Sequence, residues 1–271
     1  MLVGLVAACS FKTVYNKLDD LIPQYVEGVV TLDGVLEDQL DERTIVLLDW
    51  HRNTQLKQYA EWLSDMQQDV GAGLTEKELE QYINRMEAFW LSLYIKLNDE
   101  MAYLLPLLDS EQRQELYIYL EDSNEEFHDE FIDLVDQDRI ADYSERLSET
   151  FANWIGELTD EQQQMIESAA ARLINTAELR LERRLEWQQG IRQILDDKDT
   201  PQHKRKRLRD LFAGFEQDED DALKAKSGIN RGILVGLTLQ ISHTMTDEQK
   251  AYFIDKTSDY IRMFIELAEN R

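Results

Sequence analysis

Cysteine is almost missing from this 271-residue chain: the one instance is Cys9. No disulfide can close within the chain, so packing alone must hold the fold even in an oxidising compartment. Proline, with 3 residues, and glycine, with 11, are scarce as well. That scarcity excludes the dense turns of an all-β chain, and no strand-type alternation of apolar and polar residues persists. Histidine occurs 4 times. Glu125 and His128 form a single Glu-x-x-His, whereas a di-iron bundle needs that motif twice plus two further glutamates, so no metal site is expected. His51, His203 and His243 have no Glu three residues before them. No HExxH, GxSxG, phosphate-binding loop or dinucleotide fingerprint occurs, and neither catalytic residues nor a cofactor are expected. No apolar run reaches the 18 or more residues of a membrane-spanning helix.

What is present begins at the lone cysteine. Cys9 follows the apolar run Leu2 to Ala8, and Val6-Ala7-Ala8-Cys9 has the form of a lipobox: a branched aliphatic, two small residues, then a thiol that can take a lipid. Residues 1–8 therefore read as a lipoprotein signal peptide and acylated Cys9 as the mature N-terminus, holding the protein to membrane lipid through its acyl chains. The block is short and lacks a basic leader segment, so the start of the signal is expected upstream of Met1. At Ser10 the chain switches abruptly to a body rich in charge, as at a cleavage boundary. Ser rather than Asp after the cysteine leans toward the inner leaflet of a Gram-negative outer membrane, facing the periplasm.

The body, residues 9–271, is rich in Glu, Gln, Leu, Ala and Arg, the usage of an all-α chain. The clearest stripe runs from Thr75 to Pro106, with Leu79, Tyr82, Ile83, Met86, Phe89, Trp90, Leu93 and Leu97 at the 3 and 4 spacing that keeps one face toward a core. Looser stripes cover 12–27, 34–69, 110–136, 138–157, 160–197, 201–225, 229–244 and 247–269. An irregular bundle of eight to nine amphipathic helices is expected, either as one domain or as two subdomains meeting near 157–160. In the second stripe the apolar phase shifts between Arg52 and Gln55, which predicts a kink or break there. Four segments, beginning at Leu74, Leu108, Leu158 and Met245, each place an aliphatic, a Thr or Asp, and then Glu or Gln three positions later. That is a capping box, in which the cap oxygen accepts from the N3 amide and the N3 side chain returns to the cap's own amide.

Acidic residues outnumber basic ones by 55 to 29, for a net charge of −26. Residues 109–149 hold 15 acidic and 3 basic side chains, whereas 172–209 hold 11 basic and 6 acidic. The second segment contains the run Lys204-Arg205-Lys206-Arg207. With an isoelectric point near 4.4 and no aromatics interleaved in this run, no nucleic-acid partner is expected. The run reads as a solvated helix face, as a dock for the acidic helices, or as a contact for an acidic partner or anionic lipid. Gly228, Gly232 and Gly236, four residues apart, predict close approach of another backbone. The alternative for that flat face is an apolar ligand groove. Trp50, His51, Arg52 and Tyr59 form the candidate binding group, with His51 on the face of Leu40 and Leu47 and so read first as a buried structural histidine.

Cys9-Ser10, Tyr15-Asn16-x-Leu18-Asp19, Trp50-His51-Arg52, Gln55-Leu56 and Tyr59-Ala60-x-x-Leu63 together resemble a proteobacterial family of lipoproteins of unknown function. Met245 to Gln249, followed by Tyr260 and Phe264, is similar to that family's closing helix. The resemblance is good over 9–66 and 240–271 and weak between. It implies an all-helical periplasmic lipoprotein and no activity. Leu158 to Gln162 also resembles the LTxxQ mark of small periplasmic chaperones of the Spy and CpxP kind, although capping chemistry alone accounts for its spacing. Two function classes follow. One is a non-enzymatic envelope protein that binds a periplasmic protein partner, in the manner of a chaperone. The other is an enzyme or apolar ligand carrier with its site near Trp50, His51 and Arg52. Converging ionisable groups in a cavity would favour an enzyme, and a continuous apolar surface would favour a binding protein.

Overall fold

A computed structural model describes residues 11–217 and 220–269. The lipobox and Cys9 lie outside the described residues. Among those described there are eleven α-helices and no strand: α1 (Leu18–Glu27), α2 (Gly34–Thr54), α3 (Leu56–Ala72), α4 (Glu76–Leu104), α5 (Ser110–Phe131), α6 (Asp136–Ile155), α7 (Asp160–Ala170), α8 (Ala177–Asp196), α9 (Pro201–Gln217), α10 (Asp221–His243) and α11 (Asp247–Glu269). The fold class is as expected, but the expected count of eight to nine is too low. The stripe at 34–69 is two helices hinged at Gln55, where the phase shift lies. The stripe at 160–197 is also two, because residues 171–176 leave the helix and are tied to α10. There Asn230 Oδ1 accepts from the Ile174 amide, and its Nδ2 donates to the Ile174 carbonyl, both at 2.8 Å. A side-chain amide thus satisfies a loop backbone that would otherwise be unpaired.

All four capping boxes form. Glu78 N donates to Thr75 Oγ1 at 3.3 Å and Gln112 N to Asp109 at 2.9 Å. Gln162 N and Gln249 N donate to Thr159 and Thr246 at 3.2 Å each. The N3 residue differs in a way that matters. Glu78 is an acceptor only, whereas glutamine keeps an NH₂ to spare. Gln112 spends it on the Thr31 carbonyl, 2.9 Å away. Gln162 and Gln249 spend theirs on each other, at 2.9 and 2.8 Å, while Gln162 also reaches the Thr244 carbonyl and Gln249 the Glu157 carbonyl. Two turns 87 residues apart therefore meet as a reciprocal clasp. Both side chains are almost completely buried, and every amide is satisfied, as burial requires.

The clasp sits against the first core, where Val70, Ile155, Ile166, Leu237, Ile241 and Phe253 pack together from α3, α6, α7, α10 and α11. Leu158, at the expected 157–160 boundary, packs on this core. Gly156 ends α6 with φ +83°, a left-handed conformation that favours glycine, and a Cβ there would be in ordinary van der Waals contact with the Tyr252 ring. A second core joins Ala102, Tyr117, Ile191, Leu195, Leu208 and Phe212 from α4, α5, α8 and α9. The 29 residues of α4 contain neither Gly nor Pro, and the helix runs roughly 43 Å before Pro106 converts it to a short 3₁₀ turn. It links the two cores, with Leu79 and Tyr82 packed beside Val235 at one end and Ala102 in the second core at the other.

Candidate functional site: an apolar cleft beside the core

Four helices turn one apolar stripe each toward a shared space. α3 contributes Trp62, Met66 and Val70 at four-residue steps. α4 contributes Leu79, Tyr82, Ile83 and Met86, and α6 contributes Leu147, Phe151 and Trp154. α10 supplies Leu234, Val235, Thr238 and Ile241, and Met245 and Phe253 close one end beside the clasp. Each set follows helical spacing. The stripes do not close on one another, and they leave a cleft of about 810 Å³, within the usual size of a small-molecule site.

Most of the few polar groups on its walls are already bonded. Thr150, Thr238 and Ser242 hydroxyls donate to carbonyls of their own helices at 2.8, 2.9 and 2.7 Å. Trp62 Nε1 donates to the Tyr82 carbonyl at 3.0 Å, and the Tyr82 hydroxyl donates to Asp69. Burial, reinforced by the Asp69 carboxylate, raises the Tyr82 phenol well above its ordinary range, so it stays protonated. Arg231 pairs with Glu87 and also reaches Asn84, both at 3.3 Å. Arg180 lines the cleft, is exposed, and has no ion-pair partner among the described residues. The interior thus offers no converging acid and base, and its mouth carries one uncommitted cation.

The group singled out in the sequence lies elsewhere and is internally satisfied. Tyr15 OH and His51 Nδ1 are 2.9 Å apart, and Tyr59 OH lies 3.4 Å from His51 Nε2. Both imidazole nitrogens are occupied, an arrangement that suits the neutral ring, which has one donor and one acceptor. Burial pushes the His51 pKa down and raises those of Tyr15 and Tyr59. The Arg52 guanidinium lies 5.5 Å from the centre of the Tyr15 ring, and Trp50 is 6.2 Å from His51. Tyr59 packs edge-on to Phe89 and Phe264. None of Trp50, His51, Arg52 or Tyr59 lines the cleft. The two aromatic groups are joined through Phe89, whose ring is 4.9 Å from Tyr59 and 6.3 Å from Trp62.

The basic run is committed locally. Lys204 donates to the Leu195 carbonyl, Arg205 stacks on Tyr103 at 3.8 Å, Lys206 pairs with Asp210 at 2.6 Å, and Arg207 pairs with Asp197 and Asp199 at 2.7 and 2.8 Å. The expected dock of this run on the acidic helices does not form. Instead α8 meets α5, through Arg192 with Glu121 and the reciprocal amides of Asn124 and Gln188. The glycine expectation is also corrected. A Cβ added at Gly228, Gly232 or Gly236 would meet nothing within 4 Å, because α10 turns Leu223, Val235, Leu237 and Ile241 inward and the glycines away. His128, Asp129 and Asp133 cluster on the surface and are all exposed, and Glu125 is not among them.

The cleft carries no sequence signal of its own. Its stripes have the same residue types and spacing as a closed core, and only the failure of four helices to converge distinguishes them.

Residues 28–220 match a family of unknown function (DUF6279). The match takes in residues 28–66, where the sequence resemblance is good, and the middle of the chain, where it is weak, and leaves out the closing helix. No curated protein and no solved structure shows significant similarity to the chain.

Proposed function

Since the chain belongs to this family of unknown function, we propose from its own geometry that it is a non-enzymatic binding protein of the cell envelope that holds an apolar ligand in the cleft. One observation carries the reading: about 810 Å³ of apolar space in which the Thr150, Thr238 and Ser242 hydroxyls are bonded to their own helices and the Tyr82 hydroxyl to Asp69, so that no reactive set converges there. Acylated Cys9 would tether the body to the periplasmic face of a Gram-negative membrane, the outer membrane by the residue that follows it. Support for the tether is the Val6-Ala7-Ala8-Cys9 lipobox. Of the two function classes, the ligand carrier is favoured, with its site moved from Trp50, His51 and Arg52 to the space between α3, α4, α6 and α10.

A protein partner is the second reading, favoured by exposed apolar side chains along α4. Trp90, Leu91, Ile95 and Leu97 are exposed, Trp90 to 65%. Native mass spectrometry of protein extracted gently from membranes separates the two. A ligand carrier shows an apolar small-molecule adduct that is lost when Leu234→Trp fills the cleft. A client-binding protein shows no adduct, and instead a protein crosslinked through α4 that Leu234→Trp leaves in place.

A further inference from the structure

Resting on the reading of the cleft as an apolar ligand site, we propose that its occupant is a single-chain anionic amphiphile, with the acyl chain in the cleft and the acid group at Arg180.

The shape argues for a chain. Ten of the lining residues, Leu63, Val70, Tyr82, Ile155, Ile241 and Phe253 among them, are themselves buried core residues. The cleft is therefore a slot that reaches from the surface into the core. A partner helix, about 10–12 Å across with its side chains, cannot enter such a slot, whereas an alkyl chain can. The slot is also long for its volume: the α10 wall alone runs from Ser227 to Ser242, roughly 22 Å along the helix axis.

Charge argues for an anionic head. In a chain with 55 acidic and 29 basic residues, partners for arginine are abundant, and the neighbours of Arg180 on α8 have found contacts. Arg183 lies over Phe215, Arg184 donates to Ser123, and Arg192 pairs with Glu121. At the cleft, Arg231 is taken by Glu87 and Asn84. Arg180 alone stands at the mouth without an ion pair among the described residues. A guanidinium there offers a planar fork to a carboxylate or a phosphate monoester. With the Thr150, Thr238, Ser242 and Tyr82 hydroxyls already donating within the protein, the slot offers little to a second polar group along the chain, which disfavours polyhydroxylated or peptidic ligands.

The test uses the full chain and the neutral apolar dye Nile red, displaced by palmitate, by lysophosphatidate or by uncharged monopalmitin, all below their micelle concentrations. The parent should take up the dye, and both acids should displace it more tightly than monopalmitin. Arg180→Glu should weaken the acids about fivefold, the size of one exposed charge pair, and leave monopalmitin unchanged. Leu234→Trp should abolish dye uptake. Displacement by only one of the two acids would support the proposal and identify the source of the head group. Equal displacement by acids and monopalmitin, indifferent to Arg180→Glu, overturns the anionic head. Dye uptake that no amphiphile reverses overturns the proposal while the apolar site stands, and failure of the parent to take up dye overturns both.

Discussion

The aromatic group around His51 and the cleft around Trp62 lie on either side of Phe89, yet they have opposite character. The first holds a histidine, an arginine and two tyrosines, residues that attract a functional reading, and each of its imidazole nitrogens is already matched to a tyrosine hydroxyl. The second is built of aliphatic, aromatic and methionine side chains that read as ordinary core, and it is the one left open. Reactive residue types locate chemistry only where they remain uncommitted. Unfilled space can be made from any residues at all.

The largest expected effect comes from repeating one truncation in both places. Leu56, 1% exposed beneath the His51 group, should lose about 2–5 kcal/mol on Leu56→Ala, because its neighbours close on it from all sides. Leu234→Ala, on the half-buried cleft wall, should cost less than half as much in the same urea titration. Equal losses would mean that the cleft is closed core. Filling reverses the contrast. Leu234→Trp should be close to neutral, whereas overpacking in closed core costs about 1–3 kcal/mol.

The clasp gives the next effect. Gln162→Ala and Gln249→Ala each leave a buried partner amide short of a bond and should cost about 1–3 kcal/mol. The double variant should cost less than the sum of the two, because the second truncation removes a bond that is already broken. The turns at Thr244 and Glu157 adjoin Met245 and Ile155 of the cleft, so these variants should also weaken apolar-dye uptake. The His51–Tyr15 contact, at the other end of α11, should be untouched by NMR. A clasp variant that perturbs both regions equally would show that they are not separable.

The smallest effect is with pH. Burial holds the His51 pKa below the ordinary imidazole value, so the unfolded chain binds the proton more tightly than the native one. Its contribution is therefore complete above about pH 6.5 and is lost as pH falls from there through the lowered folded value. The parent should lose stability over that interval more steeply than His51→Phe does. Binding of an uncharged probe in the cleft, whose lining includes no histidine, should stay flat. Parallel slopes in parent and variant would remove His51 from the account.

Much of this architecture was legible in the chain. The all-helical class followed from composition, the hinge at Gln55 from the phase shift after Arg52, and the helix starts at Thr75, Asp109, Thr159 and Thr246 from capping chemistry, because each is a local property. The break at 171–176 was not legible: it depends on Asn230, 56 residues away in sequence, pairing with the Ile174 backbone. The likeness of the turns at Leu158 and Met245 could be read, but not that they face each other. The partners of the basic run were misjudged because segment charge says nothing of which side chains meet. The glycines at 228, 232 and 236 suggested a close contact that the rotation of α10 turns outward. The cleft was hidden most completely, since an open space is a property of how helices diverge and not of the stripes they carry.

The most direct test of the contrast is a Nile red titration of three proteins: the parent, Leu234→Trp and His51→Phe. The account predicts saturable uptake near one dye per chain in the parent and in His51→Phe, and none in Leu234→Trp at unchanged fold. Uptake that survives Leu234→Trp and disappears with His51→Phe would place the open site at the histidine and contradict the account.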